Sequence, residues 1–303
     1  MDGAAILYGT PRPDLVQPAA GSVQTSPLVP GSQALEDLAD GTASEAVMLA
    51  PPGVLEREAV LAHALRILHP GGALTALAPK DKGGARLRKS LEAFGCEVAE
   101  DARRHHRICR CARPAEPVGL EAAIAAGAPR EVPDLGLWSQ PGVFSWDRVD
   151  PGSALLLRHI PPLAGRGADL GCGLGVLAGR VLEAPAVQAV TLVDIDRRAI
   201  AAARRNVTDP RAAFAWADVR KAGVVPGELD FVVMNPPFHD GGAEDRSLGL
   251  AFIAAAAQAL RRGGKLWLVA NRGLPYEAAL QAAFAQVDRK AEAQGYKIYE
   301  ARK

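Results

Sequence analysis

Between residues 166 and 271 two hydrophobic periods alternate along the chain. Short apolar runs recur at 166–170, 189–194 (AVTLVD), 212–218, 229–235 and 265–271 (KLWLVAN). Helical spacing fills the gaps, running to about residue 184, then over 196–207 (DRRAIAAARRNV) and over 248–260. Strands that are apolar at nearly every position are buried on both faces. Their alternation with helices predicts a parallel, doubly wound α/β sheet. Asp196 is a capping residue at the head of the second helix, and Gly263-Gly264 stops the third.

The same pattern occurs earlier in the chain in abbreviated form. AVMLAPPG (46–53) resembles FVVMNPPF (231–238), and ALRILHPGGALTALA (64–78) parallels AQALRRGGKLWLVA (257–270). ARLRKSLEAFG (85–95) parallels YEAALQAAFAQ (276–286), and RHHRICRCAR (104–113) parallels QGYKIYEAR (294–302). Four blocks in one order read as a single unit used twice. The first copy has no glycine-rich turn and no second strand ending in an acid. It carries Ala50 where the second has Asn235, and Gly53 where the second has Phe238. The expected organisation is a truncated, degenerate copy over 1–113, a proline-rich linker over 114–140 and a complete copy over 141–303.

Composition narrows the setting. The chain has 303 residues, 49% hydrophobic and 23% charged, with a net charge of +1, which suits a soluble protein of two domains. So small a net charge excludes a chain that binds nucleic acid with its whole surface, so any basic face is local. The start, Met1-Asp2-Gly3-Ala4, has neither the basic residues nor the apolar core of a signal peptide. The longest helix-like apolar run, 247–260, is too short to span a bilayer. Four cysteines without a disulfide framework fit a reducing cytoplasm.

The chemistry-bearing residues fall at strand ends. Asp169 closes the first strand of the complete copy and leads into Gly171-Cys172-Gly173-Leu174-Gly175, ahead of a helix. Such a turn lets backbone approach a nucleoside ligand closely, and the helix N-terminus favours a negative group. Asp194 closes the next strand, where an acid accepts both ribose hydroxyls, and Asp218 at the third strand end faces the base. A dinucleotide and S-adenosylmethionine both satisfy this arrangement.

Asn235-Pro236-Pro237-Phe238, at the end of the fourth strand, separates the two. A dehydrogenase has no use for it, whereas a methyltransferase acting on an exocyclic amine does. The lone pair of such an amine is delocalised into its ring. The Asn235 side-chain oxygen and the Pro236 carbonyl can each accept one N–H, aligning the nitrogen with a sulfonium methyl. The prolines stiffen the turn. Phe238 can stack on the base, a contact worth about 1–3 kcal/mol. No strong base is required, because the proton can leave after the methyl arrives, and His239 and Asp240 read as turn residues. DNA adenine and a protein glutamine amide are alternative acceptors for the same element. A non-catalytic RNA-binding or ribosome-assembly factor with a vestigial site is the alternative outside enzymes.

These residues resemble the bacterial small-subunit ribosomal RNA guanine-N2 methyltransferases with tandem methyltransferase-like domains. The resemblance rests on PGVFSWDRVDPGSALLL (141–157), DLGCGLG (169–175), VDID (193–196), NPPFHDGG (235–242), VANRGLPY (269–276) and GYKIYEA (295–301). It implies a class I methyltransferase fold with a seven-stranded, mostly parallel sheet. It also implies S-adenosylmethionine as donor, a guanine N2 amine of ribosomal RNA as acceptor, and a degenerate first domain that helps to bind RNA. By position, Phe144 and Ser145 would flank the methionine end of the donor, Asp169, Gly171 and Gly173 would form its loop, and Asp194 would hold its ribose. The implied partner is ribosomal RNA, in the small subunit, with no membrane and no metal.

One stretch is locally basic: from Lys80 to Arg113 there are ten Lys/Arg against five Asp/Glu. Arg103, Arg104 and Arg107 are candidates for phosphate contact there. His105, His106, Cys109 and Cys111 lie in the same stretch, but no second ligand pair at zinc spacing follows, and the cysteines read as ordinary buried residues. Cys172 reads as a packing residue of the glycine turn.

Overall fold

The computed structural model describes residues 3–237, 239–240, 243–244 and 246–303. The chain forms two compact units, Met1–Pro129 and Arg130–Lys303.

The first unit runs β1 (Ala4–Tyr8), β2 (Val23–Gln24), β3 (Ala43–Leu49), α1 (Val54–Ile67), β4 (Leu68–Pro79), α2 (Ala85–Ala93), β5 (Ala99–Arg103), β6 (His106–Ala112) and α3 (Leu120–Gly127). Its six-stranded sheet has the order β2-β1-β3-β4-β6-β5. The first four strands are parallel, and β6 and β5 are antiparallel to their neighbours. The second unit opens with a hairpin, β7 (Arg130–Val132) and β8 (Leu137–Ser139). There follow α4 (Pro151–His159), β9 (Gly165–Leu170), α5 (Val176–Leu182), β10 (Val187–Asp194), α6 (Arg197–Asn206), β11 (Ala212–Trp216) and β12 (Leu229–Met234). The short pair β13 (His239–Asp240) and β14 (Ala243–Glu244) precedes α7 (Arg246–Ala259), β15 (Leu260–Asn271), α8 (Glu277–Ala283), β16 (Gln286–Ala293) and β17 (Tyr296–Arg302). Its seven-stranded sheet has the order β11-β10-β9-β12-β15-β17-β16.

Remove β11 and the two orders correspond strand for strand, down to the antiparallel pair at one edge. The duplication read from four sequence blocks is therefore a duplication of topology. In the first unit β1 passes to β2 without the helix that joins β9 to β10, and no α-helix precedes Val54 among the described residues. The missing helix is the one the glycine turn leads into in the second unit, and β2, the counterpart of β10, is two residues long and does not end in an acid.

Local expectations hold with small shifts. Asp196 caps α6, its side chain accepting from the Arg198 amide. Residues 260–264 extend β15 rather than α7, because Leu260 pairs with Leu229 ahead of a register shift at the GlyGly turn. Segment 114–140 is more ordered than a linker. It contains α3, whose Gly127 lies against Ala59 of α1 so closely that a methyl there would overlap it. It also supplies the β7–β8 hairpin of the second unit.

Gly167, in the middle of β9, leaves room for the Phe231 ring from β12; a methyl at this position would overlap that ring. Gly167→Val is therefore expected to destabilise the second unit by about 1–3 kcal/mol, the usual cost of overpacking. A lowered urea midpoint with an unchanged denaturant slope would show it.

Candidate active site

Three strands of the parallel core, β9, β10 and β12, bring residues to the cleft or to its glycine turn at their C-terminal ends. After β9 the chain turns through Gly171 (φ 70°), Gly173 (φ 51°) and Gly175 (φ 83°), all left-handed and thus favouring glycine. The three are not equivalent. A methyl on Gly175 would meet Val207 at 2.8 Å, and one on Gly171 would meet Phe252 at 3.2 Å and Pro237 at 3.9 Å. A methyl on Gly173 would meet nothing within 4 Å. Two glycines thus let the turn pack, while the third leaves a bare cradle.

Asp169 lies beneath this turn and does not line the cleft. It is fully buried, and one carboxylate oxygen accepts from the Ala178 amide in the first turn of α5 at 3.1 Å. The other oxygen has no partner. Burial pushes its pKa up to about 7. An acid with a raised folded pKa stabilises the fold below its unfolded pKa, and that contribution is lost as pH rises through the folded value. Stability should therefore fall between about pH 4 and pH 7 in the parent, and fall less in Asp169→Asn. Thermal melts across that window check the sign.

Asp194, at the end of β10, binds the turn from the other side. Its Oδ2 accepts from the Gly173 amide at 2.9 Å and its Oδ1 from the Asp196 amide at 2.8 Å. Burial raises its pKa to about 6, against the opposing pull of those amides. Asp218 follows β11, with both oxygens engaged by the Arg220 guanidinium at 2.8–3.1 Å. That ion pair holds its carboxyl below the usual range. Burial raises the Cys172 thiol well above its ordinary value.

A cleft of about 500 Å³, open to solvent, runs past the turn. It is lined by Gly171, Cys172 and Gly173, by Phe144, Ser145, Asp150 and Ser153, and by Asn235. Phe144 is 58% exposed at its lip, and Ser145 is in a left-handed conformation (φ 52°). Phe144, Ser145, Gly171, Gly173 and Asn235 are thus brought together; Asp169, Asp194 and Asp218 lie outside the lining. Pro236 is buried and Pro237 half-buried, the latter beside Gly171. Phe238 lies outside the described residues.

Five residues that sequence reasoning passed over help to build the site. Asn235 Nδ2 donates to Asp150 Oδ2 at 2.8 Å and to Ser153 Oγ at 2.9 Å. Leu135 and Leu137 of the β7–β8 segment line the cleft. The hairpin is docked by Asn206, which accepts from the Trp138 amide and donates to the Trp138 and Leu174 carbonyls at 2.8–3.0 Å. The apolar alternation in Leu135-Gly136-Leu137-Trp138 is the signal that could have found the hairpin.

The first unit differs from the second at the corresponding turn. Arg57, 1% exposed, donates to the Pro52 carbonyl at 2.8 Å, in the turn that matches the one after β12. Its own guanidinium thus occupies the proline turn. In the basic stretch, Arg104 pairs with Asp14 at 2.7 Å and Arg107 with Glu100 at 3.2 Å, which takes up part of the charge. Cys109 is buried, its thiol pushed up to about 11 by that burial. Among the described residues, no group of three or more His, Cys, Asp or Glu is placed to hold a metal, and no helix is long and apolar enough to cross a membrane.

The strand order, the glycine turn and the acid-ended second strand define a Rossmann-like class I methyltransferase fold. Residues 134–300 match the family model "Methyltransferase small domain". Ribosomal RNA small subunit methyltransferase C of Pseudomonas entomophila (strain L48) is 34% identical over 267 residues, covering 86% of this chain and 79% of that protein. The protein of the same name from Pseudomonas paraeruginosa is 32% identical over 315 residues, covering 98% and 94%. A solved structure, T. thermophilus 16S rRNA N2 G1207 methyltransferase (RsmC) in complex with AdoMet and guanosine, aligns with a TM-score of 0.76 at 25% identity, covering 99% of this chain and 88% of that one. The chain belongs to the small-subunit ribosomal RNA methyltransferase C family, its second unit being a methyltransferase small domain.

Proposed function

We propose that the protein transfers the methyl group of S-adenosylmethionine to the exocyclic N2 amine of a guanine in ribosomal RNA, acting in the cytoplasm. The observation that carries this reading is the presence of Asn235 in one cleft with Gly171, Gly173 and Ser145. An amine acceptor and a nucleoside-binding turn are within reach of a single ligand pair. The names of the Pseudomonas relatives and the guanosine in the T. thermophilus structure support it.

The cleft suits the donor. The open side of Gly173 offers the close backbone approach that a nucleoside needs, and Asp194 stands one hydrogen bond from it. Gly171 and Gly173 would hold the donor's centre, Asp194 its ribose, and Phe144 and Ser145 its methionine end. Asp218 would face its base once Arg220 shares the carboxylate. When bound, the donor supplies an electrophilic methyl on a sulfonium. The chain's own part is orientation. Asn235 Oδ1 and the Pro236 carbonyl accept the two N–H bonds of the target amine, and Phe238 stacks on the base, so that the nitrogen lone pair points along the line of attack.

The test is methyl transfer from labelled donor to deproteinised ribosomal RNA, assembled small subunits, DNA and protein, followed by mass mapping of the RNA. N2-methylguanine in RNA is the expected product. Label confined to DNA or protein would refute the reading.

A further inference from the structure

We propose that Asp150 and Ser153 are positioning residues for this transfer: they fix the side-chain amide of Asn235 so that its oxygen, and not its nitrogen, faces the target amine. The inference rests on the proposed function above and concerns a requirement that function leaves open. An asparagine amide is nearly the same shape with its oxygen and nitrogen exchanged. If the nitrogen faced an incoming NH₂ group, donor would meet donor, and the amine would be turned away instead of being held.

The geometry decides which end points inward. Asp150 caps α4, 85 residues before Asn235 in sequence, and its Oδ2 lies 2.8 Å from Asn235 Nδ2. An ionised carboxylate only accepts hydrogen bonds, so the end of the amide that meets it must be the NH₂. Ser153 Oγ, 2.9 Å away, takes the second hydrogen. With both amide hydrogens engaged by Asp150 and Ser153, Oδ1 is the end of the amide that remains to accept from an incoming amine.

The orienting pair is itself held in place. Asp150 Oδ2 also accepts from the Ser153 amide at 2.8 Å, so one capping interaction fixes the acid and brings Ser153 alongside. Pro151 opens the helix with its preset φ. Gly152 has no side chain because none fits: a methyl would lie 2.9 Å from Asp150 Oδ2 and 2.8 Å from the Tyr296 ring. Tyr296 closes the other side. Burial and then the nearby Asp150 charge raise its hydroxyl pKa. The stretches Asp150-Pro151-Gly152-Ser153 and Gly295-Tyr296 thus acquire a shared task, holding the amide at the end of β12.

Asp150→Asn is the informative variant. Asn caps a helix as well as Asp does and has the same shape, so the fold is kept. Its amide can present either end, and Asn235 becomes free to flip. The expected result is a kcat lower by roughly 10–100-fold, the usual cost of losing a group that orients a reacting side chain. Donor affinity by calorimetry stays unchanged, and Ser153→Ala shows a smaller loss of the same kind. In an Asn235→Ala background, Asp150→Asn should cause no further loss. Full activity of Asp150→Asn, an equal loss in both backgrounds, or donor affinity falling in step with kcat (an acid that binds the donor's ammonium instead) would each overturn the proposal. Parent activity on ribosomal RNA is the control for the functional reading. Should that fail, the side-chain NH₂ resonances of Asn235, assigned by their loss in Asn235→Ala, still decide: they should shift in Asp150→Asn, and unchanged resonances would refute the orienting contact.

Discussion

Asn235→Ala is expected to lower turnover by about 10²–10³-fold while leaving donor affinity nearly unchanged. The magnitude is that of removing one preorganised hydrogen-bonding group at the point where charge develops. The selectivity follows from position. Asn235 and Gly173 line the same cleft, but the Asn235 NH₂ is committed to Asp150 and Ser153 and not to the glycine turn. Alanine also leaves the Asp150 carboxylate one bond fewer, but the Ser153 amide still caps it, and the helix should persist. Single-turnover kinetics with calorimetry of donor binding separates the two effects. Full activity in this variant would remove the amine-holding mechanism.

Asp194→Ala should have the converse signature. Two things are lost at once: the proposed acceptor for the ribose hydroxyls and the anchor of the Gly173 amide. A hydrogen bond to a charged group is worth roughly 1.5–3 kcal/mol, so loss of the ribose contacts alone predicts donor binding weaker by about 10²-fold or more. Turnover at saturating donor should fall less. Because burial raises the Asp194 pKa to about 6, donor affinity in the parent should also decline as pH drops through that value, since only the ionised acid accepts both hydroxyls. Calorimetry of the parent from pH 8 to pH 5 tests this, and a flat affinity across that range would take Asp194 out of the ribose role. In Asp194→Ala the decline should be absent.

The legible parts of this protein were those with a local cause. Apolar runs separated by helical spacing gave β9 to β12 and β15 within one to five residues. The glycine turn announced itself by residue type, because left-handed backbone at positions 171, 173 and 175 leaves little else possible. Asn235-Pro236-Pro237 was conspicuous because prolines at a buried strand end need a reason. The repeat was visible because both copies keep the same turn outlines. Residues 114–140 were read as a connector because their prolines dominate the local pattern. The structure instead divides the chain at Pro129 and uses both sides of that division, α3 in one unit and the β7–β8 hairpin in the other.

Asp169 and Asp218 illustrate a further limit. A strand-end acid reads the same whether it faces a ligand or the protein. Packing sends Asp169 under α5, and Arg220, two residues on, claims Asp218. Neither outcome is written in spacing, because the same carboxylate accepts from a ribose, an amide or a guanidinium equally well.

By itself, then, the sequence determined which strands would be buried, where the backbone must turn left-handed, and which of the two copies carries the glycine turn and Asn235. All of these follow from the properties of one residue or its near neighbours. Only the tertiary structure decided which way the Asn235 amide points, since that rests on an acid 85 residues away. It also decided that Gly173 alone of the turn glycines stays bare, and that Arg57 fills the proline turn of the other copy. A hydrogen bond acts over a few ångströms of space whatever the separation along the chain, so these partners meet only once the sheet has formed.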